Sequence, residues 1–314
     1  MRENRRHIIM RILIYGAGVL GSYLAHALMR GGNDVTMLAR GKRIDELKNN
    51  GIVIRHYFQL KTTVDKVNVI STLLPEDTYD LIFVVMQYQQ SQEVLPIISD
   101  NMSKYIVFVG NNPNARSFQD YLNRNSADEK QIAFGFQASG GRRENGRIIT
   151  VRAGGSMELG VLDGELSWRP LIEKAFKNAK YKLNFNDNID AWLKSHMIFV
   201  LVLAYVTNAC NGNLRKLDKK LANQMVKALD EGYMVLETLG YKITPANVAN
   251  FVRNGRYKFL LYLLLKIYSL TPIPSPEPMT MTNETIALTK AFDDLKRKAN
   301  IPTPNWDALE VTLL

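Results

Sequence analysis

The chain has 314 residues, a formal net charge of +10 and a hydrophobic fraction of 46%. Such a chain is long enough for two domains with separate cores, and its composition excludes an intrinsically disordered protein. The basic residues are spread along the sequence and match no nucleic-acid-binding motif, so we expect anionic small molecules as ligands. The single cysteine, Cys210, excludes an internal disulfide and suits a reducing cytoplasm.

No stretch of the sequence predicts a membrane span or a secretion signal. The apolar runs 197–206 and 259–265 are shorter than the roughly 20 residues that a helix needs to cross a bilayer, and we expect buried helices there. Residues 1–9 lack the apolar core of a signal peptide. We expect them to form a frayed extension, with Met10 as an alternative functional start.

A glycine-rich turn follows the first apolar run, residues 12–15, and has the pattern G-x-G-x-x-G. The helix after it carries a regularly spaced apolar stripe, and residues 34–38 give a second strand. Strand, turn, helix and strand in this order predict a dinucleotide-binding unit, with the phosphates bound at the helix N-terminus. The cofactor-binding residues predicted in this turn are Gly16, Ala17, Gly18, Val19, Leu20 and Gly21. The apolar stripe is formed by Leu20, Leu24 and Leu28.

The end of the second strand carries basic residues. Arg40 stands 19 residues after Gly21, and Lys42 and Arg43 follow it. An acidic residue at this place would bind the ribose hydroxyl of NAD, whereas arginine suits the 2′-phosphate of NADP. The sequence therefore favours NADPH, with a solvated basic loop as the alternative.

The rest of the first domain, residues 10–185, alternates between strand and helix patterns. The strands 80–85 and 105–109 end at the sheet edge where open α/β sheets bind ligands, and mostly polar residues follow them. Met86 and Asn111 are the first and second residues after these strands, and we expect both to bind the cofactor. The further predicted elements are a helix over 44–50, strands within 52–70, a helix over 92–102, and an antiparallel extension over 133–139, 147–151 and 156–160.

Long helices dominate the second domain, residues 186–314. Residues 190–211 are apolar nearly all round, which is typical of the central helix of an all-α domain. Lys194 is the single charged residue between 191 and 214. A buried ammonium group requires a partner or a polar cleft, and burial lowers its pKa toward values useful in proton transfer. The alternative is that Lys194 extends to solvent.

These motifs together resemble the ketopantoate reductase (2-dehydropantoate 2-reductase) family. The resemblance rests on Gly16 to Gly21, Ala39-Arg40, Asn111, the turn from Ala153 to Gly160, Trp192-Leu-Lys194 and the stretch from Asn283 to Pro304. It implies a Rossmann-type α/β domain followed by an all-α domain, NADPH as cofactor, and reduction of a small 2-oxo acid to a 2-hydroxy acid in the cytoplasm for pantothenate biosynthesis.

The resemblance also implies catalytic roles. Lys194 matches the catalytic lysine, Asn111 the asparagine near the nicotinamide, and Glu284 the carboxylate that holds substrate and lysine. A carboxylate in the first turn of a helix is the alternative for Glu284, because the helix dipole favours it there. No metal site is expected, and the sequence leaves the oligomeric state open, with a homodimer as one option.

The chain departs from the family pattern at several positions. Met86 replaces a lysine, Gly110 a glutamine, and Ile198 and Val202 two asparagines. Since Ile198 and Val202 follow Lys194 by four and eight residues, we expect all three to line the cleft and ketopantoate to be a poor substrate. Alternatives are another, more apolar 2-oxo acid and NADPH binding without turnover. Ser269 or Ser275 could replace a substrate-binding serine of the family, which would fall in the proline-rich segment 271–278.

Overall fold

A computed structural model describes residues 9–150, 155–254, 257–270 and 282–313. Ala153, Gly154, Ser275 and the rest of the proline-rich segment lie outside these residues, as does most of the N-terminal extension. The chain forms two compact units. The N-terminal unit comprises Met1–Met86, Gln90–Gly110 and Arg116–Asp187, and the C-terminal unit comprises Gln87–Gln89, Asn111–Ala115 and Asn188–Leu314.

Strands and helices alternate in the first part of the chain. The strands are β1 (Arg11–Tyr15), β2 (Asp34–Leu38), β3 (Ile52–His56), β4 (Lys61–Asp65), β5 (Asn68–Ile70), β6 (Leu81–Val85), β7 (Tyr105–Val109), β8 (Gln131–Gln137), β9 (Gly141–Glu144), β10 (Arg147–Thr150), β11 (Gly155–Gly160) and β12 (Tyr181–Phe185). The helices are α1 (Val19–Arg30), α2 (Lys42–Asn50), α3 (Tyr88–Glu93), α4 (Leu95–Asp100), α5 (Ala115–Asn125) and α6 (Arg169–Phe176).

The main sheet of the N-terminal unit has the strand order β12-β11-β8-β7-β6-β1-β2-β5. All pairs from β5 to β8 are parallel, and the chain leaves β1 first toward β2 and later returns to its other side as β6. Open α/β sheets bind ligands at the carboxyl ends of the strands beside such a reversal, which are β1 and β6 here. Ile12, Leu13 and Ile14 of β1 have no exposed surface, as expected for a central parallel strand. The predicted Rossmann-type fold is confirmed.

The antiparallel extension predicted for residues 133–160 is wrong in part. Strand β11 does pair antiparallel with β8, with Met157 opposite Gln137. Strand β10 instead enters a second sheet of order β4-β3-β10-β9, with Ile148 opposite Ile54 in a parallel pair. Ile148 is fully buried there. The local pattern predicts a strand, but it contains no signal for a partner nearly a hundred residues earlier.

The helix predicted over 92–102 is two helices. Helix α3 ends at Glu93, and α4 begins at Leu95 with Pro96 in its first turn. Proline has no N–H group to donate to the preceding turn, and it is favoured at the first positions of a helix. A new helix therefore begins at Leu95, directly before Pro96.

The C-terminal unit consists of helices wherever it is described after Asn188. They are α7 (Ile189–Ala209), α8 (Lys219–Thr238), α9 (Asn247–Arg253), α10 (Tyr257–Ser269), α11 (Asn283–Ala299) and α12 (Pro304–Glu310), with short 3₁₀ turns at Leu214–Lys216 and Val311–Leu313. Among the described residues, α7 alone is long and apolar enough to cross a membrane by length and composition. Most of it is buried, and it packs against α8, α11 and α12, so it is the core helix of this unit. Trp306 of α12 is fully buried, with its ring 5.5 Å from that of Tyr205 on α7.

Candidate functional site

Three glycines shape the turn between β1 and α1. Gly16 has a φ angle of +124°, and a Cβ atom there would lie 2.2 Å from the Val85 carbonyl oxygen. A Cβ atom at Gly21 would lie 1.9 Å from the carbonyl oxygen of Gly16, so only glycine lets α1 approach the turn this closely. No atom lies within 4 Å of the corresponding position at Gly18. The turn therefore presents open backbone at Gly18.

The N-terminus of α1 carries no side-chain cap. Gly18 is the N-cap residue, and the first helical turn contains no acidic residue. Its backbone N–H groups and the positive end of the helix dipole are thus available to an anion. Open backbone next to an uncapped helix N-terminus is the arrangement that binds the pyrophosphate of a dinucleotide.

Met86 and Gly110 follow the neighbouring strands β6 and β7. A Cβ atom on Gly16 would lie 3.1 Å from Met86 Cγ, so the methionine side chain is next to the glycine turn. At Gly110 the φ angle is +153°, and a Cβ atom would lie 2.8 Å from the Met86 carbonyl oxygen. This backbone explains why a glycine stands where the family resemblance implies a glutamine.

Two exposed cations lie at the end of β2. Arg40 and Lys42 are both exposed, and Arg40 Nη2 donates a 3.2 Å hydrogen bond to the hydroxyl of Tyr15, the last residue of β1. Strands β1 and β2 are paired in parallel, with Tyr15 opposite Leu38. The guanidinium group of Arg40 is therefore held near the start of the glycine turn, where the ribose phosphate of an NADP cofactor would be bound.

Arg43 does not fit the role of a cofactor ligand that the sequence suggested. Its side chain is only 6% exposed. The guanidinium group donates to the carbonyl oxygens of Ala17 (3.2 Å) and Gly146 (2.8 Å) and to Ser22 Oγ (3.2 Å), and it pairs with Glu46. With its nitrogens engaged in this way, Arg43 fastens the glycine turn to α2 and to the loop between β9 and β10. We therefore reassign it from binding the cofactor to positioning the turn.

Glu284 stands in the first turn of α11, in the C-terminal unit. Its Oε1 atom accepts hydrogen bonds from Asn111 Nδ2 (3.2 Å) and from the backbone N–H of Tyr88 (3.4 Å). The helix begins at the N-cap Thr282, whose side chain accepts from the N–H of Thr285. Glu284 and Asn111, both predicted to be site residues, are thus in direct contact.

Burial raises the pKa of the Glu284 carboxyl group above its ordinary value of 4.5. The hydrogen bonds from Asn111 and from the Tyr88 backbone oppose this effect, because they stabilise the carboxylate, but burial dominates. Raised carboxyl pKa values are typical of functional sites, although structural networks produce them as well.

Lys194 is buried rather than extended to solvent, which decides between the two alternatives from the sequence. It is 6% exposed, its ammonium group forms an ion pair with Asp190 one helical turn earlier, and its Nζ lies 4.8 Å from the centre of the Tyr241 ring. Asp190 was not predicted as a site residue. The i, i+4 spacing of an acid and a lysine would have indicated it.

Ile198 is a core residue, which corrects its expected place in the cleft wall. It has no exposed surface, and its Cγ2 atom lies 2.6 Å from where a Cβ atom of Gly232 on α8 would be. The Cζ3 atom of Trp306 on α12 lies 2.9 Å from the same Cβ position. Val202 is equally buried. Ile198 therefore fills space between α7 and α8, and an asparagine there would bury an amide in the core.

Ser269 and the expected absence of a metal site can also be compared with the structure. Ser269 donates through its hydroxyl to the Lys266 carbonyl oxygen at 2.6 Å, which is a local helix-end contact. Within the described ranges, no group of three or more His, Cys, Asp and Glu side chains could hold a metal ion. Sequence reasoning missed Gln89 and Asn112, which have buried side-chain atoms without hydrogen-bond partners.

Comparison with known families gives a match over residues 12–164, which correspond to the model of ketopantoate reductase PanE/ApbA. This part of the chain, just under half of it, is similar to ketopantoate reductases. The matched residues include the glycine turn, Arg40, Met86 and Asn111, whereas Lys194 and Glu284 lie beyond them.

The chain is also similar to individual proteins, in sequence or in fold. The chain is 25% identical over 190 residues to 2-dehydropantoate 2-reductase of Pyrococcus horikoshii, a match that covers 58% of either chain. In fold it is similar to 2-dehydropantoate 2-reductase from Methylococcus capsulatus, with a TM-score of 0.72 at 16% identity over 96% of this chain and 95% of that one. It is also similar to D-mandelate dehydrogenase in complex with NADH and anilino(oxo)acetate, with a TM-score of 0.74 at 18% identity over 97% of both chains. The ketopantoate reductase fold thus covers nearly the whole chain.

Proposed function

We propose that the protein is an NADPH-dependent oxidoreductase that reduces the carbonyl group of a small 2-oxo acid to a 2-hydroxy acid. The observation that carries this proposal is the glycine turn, which opens onto an uncapped helix N-terminus with Arg40 and Lys42 exposed nearby. The uncapped helix suits a pyrophosphate, and the two cations suit the additional phosphate of NADPH.

The residues of the chain fit this cofactor. Gly16 to Gly21 would hold the pyrophosphate, Arg40 and Lys42 the 2′-phosphate, and Met86 would pack next to the turn. When bound, the cofactor supplies a hydride to the carbonyl carbon of the substrate.

Lys194 would donate the proton to the carbonyl oxygen. Its ion pair with Asp190 orients the ammonium group, and burial in an apolar helix strengthens its electrostatic effect on a developing alkoxide. Glu284 would orient Asn111 through their hydrogen bond, so that this asparagine is positioned before any ligand arrives. Proton donation and orientation are then provided by different residues of the C-terminal unit.

The first candidate substrate is 2-dehydropantoate, since the domain match and the P. horikoshii relative carry that name. A more apolar 2-oxo acid is the second candidate. Met86 favours it, because this apolar side chain lies next to the glycine turn at a position where the family resemblance implies a lysine. The fold does not choose between them, since it is shared with a protein named D-mandelate dehydrogenase.

A single assay series tests the function. The purified protein is mixed with NADPH and a panel of 2-oxo acids, including 2-dehydropantoate and acids with branched or aromatic tails, and the nicotinamide absorbance is followed. Turnover with one class of acid identifies the substrate. Binding of NADPH without turnover of any acid would mean that the protein binds the nucleotide but does not act as a reductase on these acids. Absence of NADPH binding would overturn the proposal.

A further inference from the structure

The ring of Tyr241 contacts the ammonium group of Lys194 within the C-terminal unit. The ammonium group lies over the ring, with Nζ 4.8 Å from the ring centre. A cation within about 6 Å of the face of an aromatic ring is attracted by it, and the attraction is stronger where water is excluded. Lys194 is only 6% exposed, so the contact is of this stronger kind.

Asp190 and Tyr241 hold the ammonium group from different parts of the chain. Asp190 lies on α7 itself, one turn before Lys194, whereas Tyr241 follows the end of α8. A lysine side chain has many rotamers, and it loses most of this freedom only when several contacts restrict it. Two contacts from different elements therefore restrict the position of Nζ more than the ion pair alone would.

The C-terminus of α8 fixes the backbone of Tyr241. Gly240 has a φ angle of +84°, and its N–H donates to the carbonyl oxygen of Glu237 at 2.9 Å. The N–H of Tyr241 donates to the carbonyl oxygen of Leu236 at 3.0 Å. These two bonds form a Schellman motif, which ends a helix with a glycine in the left-handed conformation. The residue after the glycine thus has a defined position relative to α8.

Ser195 attaches the following loop to α7. It is the next residue after Lys194 and is 3% exposed. Its hydroxyl group donates to the carbonyl oxygen of Ala191 at 2.7 Å and accepts from the N–H of Thr244 at 3.1 Å. The loop that carries Tyr241 is therefore bonded to the helix that carries Lys194, three residues after the ring.

The hydroxyl group of Tyr241 stays neutral beside the ion pair. Burial, and next the negative charge of Asp190, raise its pKa above the ordinary value of 10.0, while Lys298 acts in the opposite direction. A neutral ring attracts an ammonium group but not a neutral amine. The contact therefore favours the protonated form of Lys194, which is the form that a proton donor requires.

We infer that Tyr241 is a positioning residue, whose ring holds the protonated Lys194 in place for proton transfer. The inference rests on the proposed function, because it takes Lys194 as the proton donor. It adds a residue that acts through the lysine, and it assigns the effect to the aromatic face of Tyr241 and not to its hydroxyl group.

The test compares Tyr241→Leu, which removes the ring, with Tyr241→Phe, which removes only the hydroxyl group. Tyr262→Leu is the matched control, because Tyr262 makes a similar contact with Lys266, at 5.5 Å, in the same unit. Ser195→Ala is a further variant, which loosens the loop and leaves the ring unchanged. For each protein we would measure the thermal midpoint, kcat and KM. We would also measure the pH at which acetylation of Lys194 by acetic anhydride reaches half its maximal rate, by peptide mass spectrometry.

We expect kcat of Tyr241→Leu to fall about ten- to a hundredfold, because small displacements of a catalytic group have large effects on the rate. Its KM should change less than about threefold. Tyr241→Phe and Tyr262→Leu should stay within about twofold of the wild type, and Ser195→Ala should show an intermediate loss.

Acetylation gives a measurement that does not require turnover. Acetic anhydride reacts with the neutral amine only, so the pH of half-maximal acetylation should be lower in Tyr241→Leu than in Tyr241→Phe, by about half a pH unit or more. Greater access of the reagent to Lys194 would raise the maximal rate but would not move this pH midpoint.

Contrary results separate the inference from the proposed function. Equal pH midpoints in Tyr241→Leu and Tyr241→Phe would overturn the inference, whether or not the protein has turnover. Equal losses of kcat in these two variants would assign the effect to the hydroxyl group and overturn it as well. If Tyr241→Leu did not fold, full kcat and an unchanged midpoint in Ser195→Ala would count against the inference. A wild type without turnover, together with the expected shift in midpoint, would overturn the proposed function while the hold of the ring on Lys194 stands.

Discussion

The side-chain amide of Asn111 donates a hydrogen bond of 3.2 Å to Glu284, a residue that follows it by 173 positions. The same carboxylate oxygen accepts from the backbone of Tyr88. One acidic side chain on α11 therefore fixes two segments that follow neighbouring strands of the main sheet. Its burial raises the pKa of the carboxyl group, so ionisation of Glu284 weakens the folded state.

Replacing Glu284 with glutamine should change the pH dependence of stability. The folded-state pKa of Glu284 lies above the ordinary value of 4.5, so the unfolded chain releases this proton first as the pH rises. Fewer protons are then bound in the unfolded state, and the free energy of unfolding falls through the window from 4.5 up to the raised pKa. Glu284→Gln keeps an acceptor for Asn111 but does not ionise.

The difference between the two proteins should thus be small below pH 4.5 and grow in favour of the glutamine variant as the pH approaches 7. Thermal midpoints measured from pH 4 to pH 8 in one buffer series would show it. A glutamine variant that is less stable than the wild type at neutral pH would contradict the account of Glu284. If Glu284 acts only by orienting Asn111, the same variant should keep most of its kcat, because glutamine retains the acceptor for that residue.

Arg40→Ala should remove most of the preference for NADPH. A charge-assisted hydrogen bond contributes about 1.5 to 3 kcal/mol, so NADPH binding should weaken roughly ten- to a hundredfold. NADH has no 2′-phosphate, and its affinity should hardly change. Titration of the protein with each nucleotide, followed by fluorescence, measures the dissociation constants for NADPH and for NADH. A similar loss for NADH would mean that Arg40 acts on the turn through Tyr15 instead.

Arg43→Met should show the opposite pattern. The methionine cannot replace the hydrogen bonds to Ala17, Ser22 and Gly146, so the glycine turn loses its attachment to the loop between β9 and β10. We expect a lower thermal midpoint, together with weaker binding of NADPH and NADH by similar factors. Selective loss of NADPH binding would restore Arg43 to the set of phosphate ligands.

Lys194→Ala should lower kcat by about 10²- to 10⁴-fold if the lysine donates the proton. NADPH affinity should change little. Lys227→Ala removes an exposed lysine from α8 and serves as the control, which should keep full turnover. Single-turnover measurements at saturating NADPH would separate the chemical step from binding. Full activity of the Lys194 variant would mean that the lysine has only a structural role, in its ion pair with Asp190.

Gly232→Ala tests the placement of Ile198. The new methyl group would meet Ile198 Cγ2 at 2.6 Å, so we expect destabilisation of about 1 to 3 kcal/mol by overpacking. Ile198→Ala should be destabilising alone, because it leaves a cavity. The double variant should lose less stability than the sum of the two, as chemical denaturation would show. Additive losses would indicate that the two residues do not share one space.

The sequence could predict what depends on neighbouring residues. The turn between β1 and α1 needs glycine for local steric reasons, and the spacing of Gly16, Gly18 and Gly21 therefore revealed it. The same local pattern could not separate Arg40 from Arg43. Their difference arises from Gly146, a carbonyl group 103 residues away that only the folded chain brings to Arg43.

The helical domain shows a second limit. Helical spacing placed Lys194 and Ile198 on one face of α7. Two residues that are one turn apart on the same face can nevertheless pack against different parts of the protein. Lys194 meets Asp190 and Tyr241, whereas Ile198 meets the gap that Gly232 leaves in α8. Periodicity reports the direction of a side chain, not the element that it packs against.

The burial of Trp306 has a consequence for biosynthesis. Helix α7 leaves the ribosome about a hundred residues before α12, and until then the apolar surface around Tyr205 lacks the indole ring that covers it. Because domains fold as units during translation, the helical domain can complete its core only after α12 has emerged. A nascent chain paused before this point exposes a long apolar helix, which is the kind of segment that molecular chaperones bind.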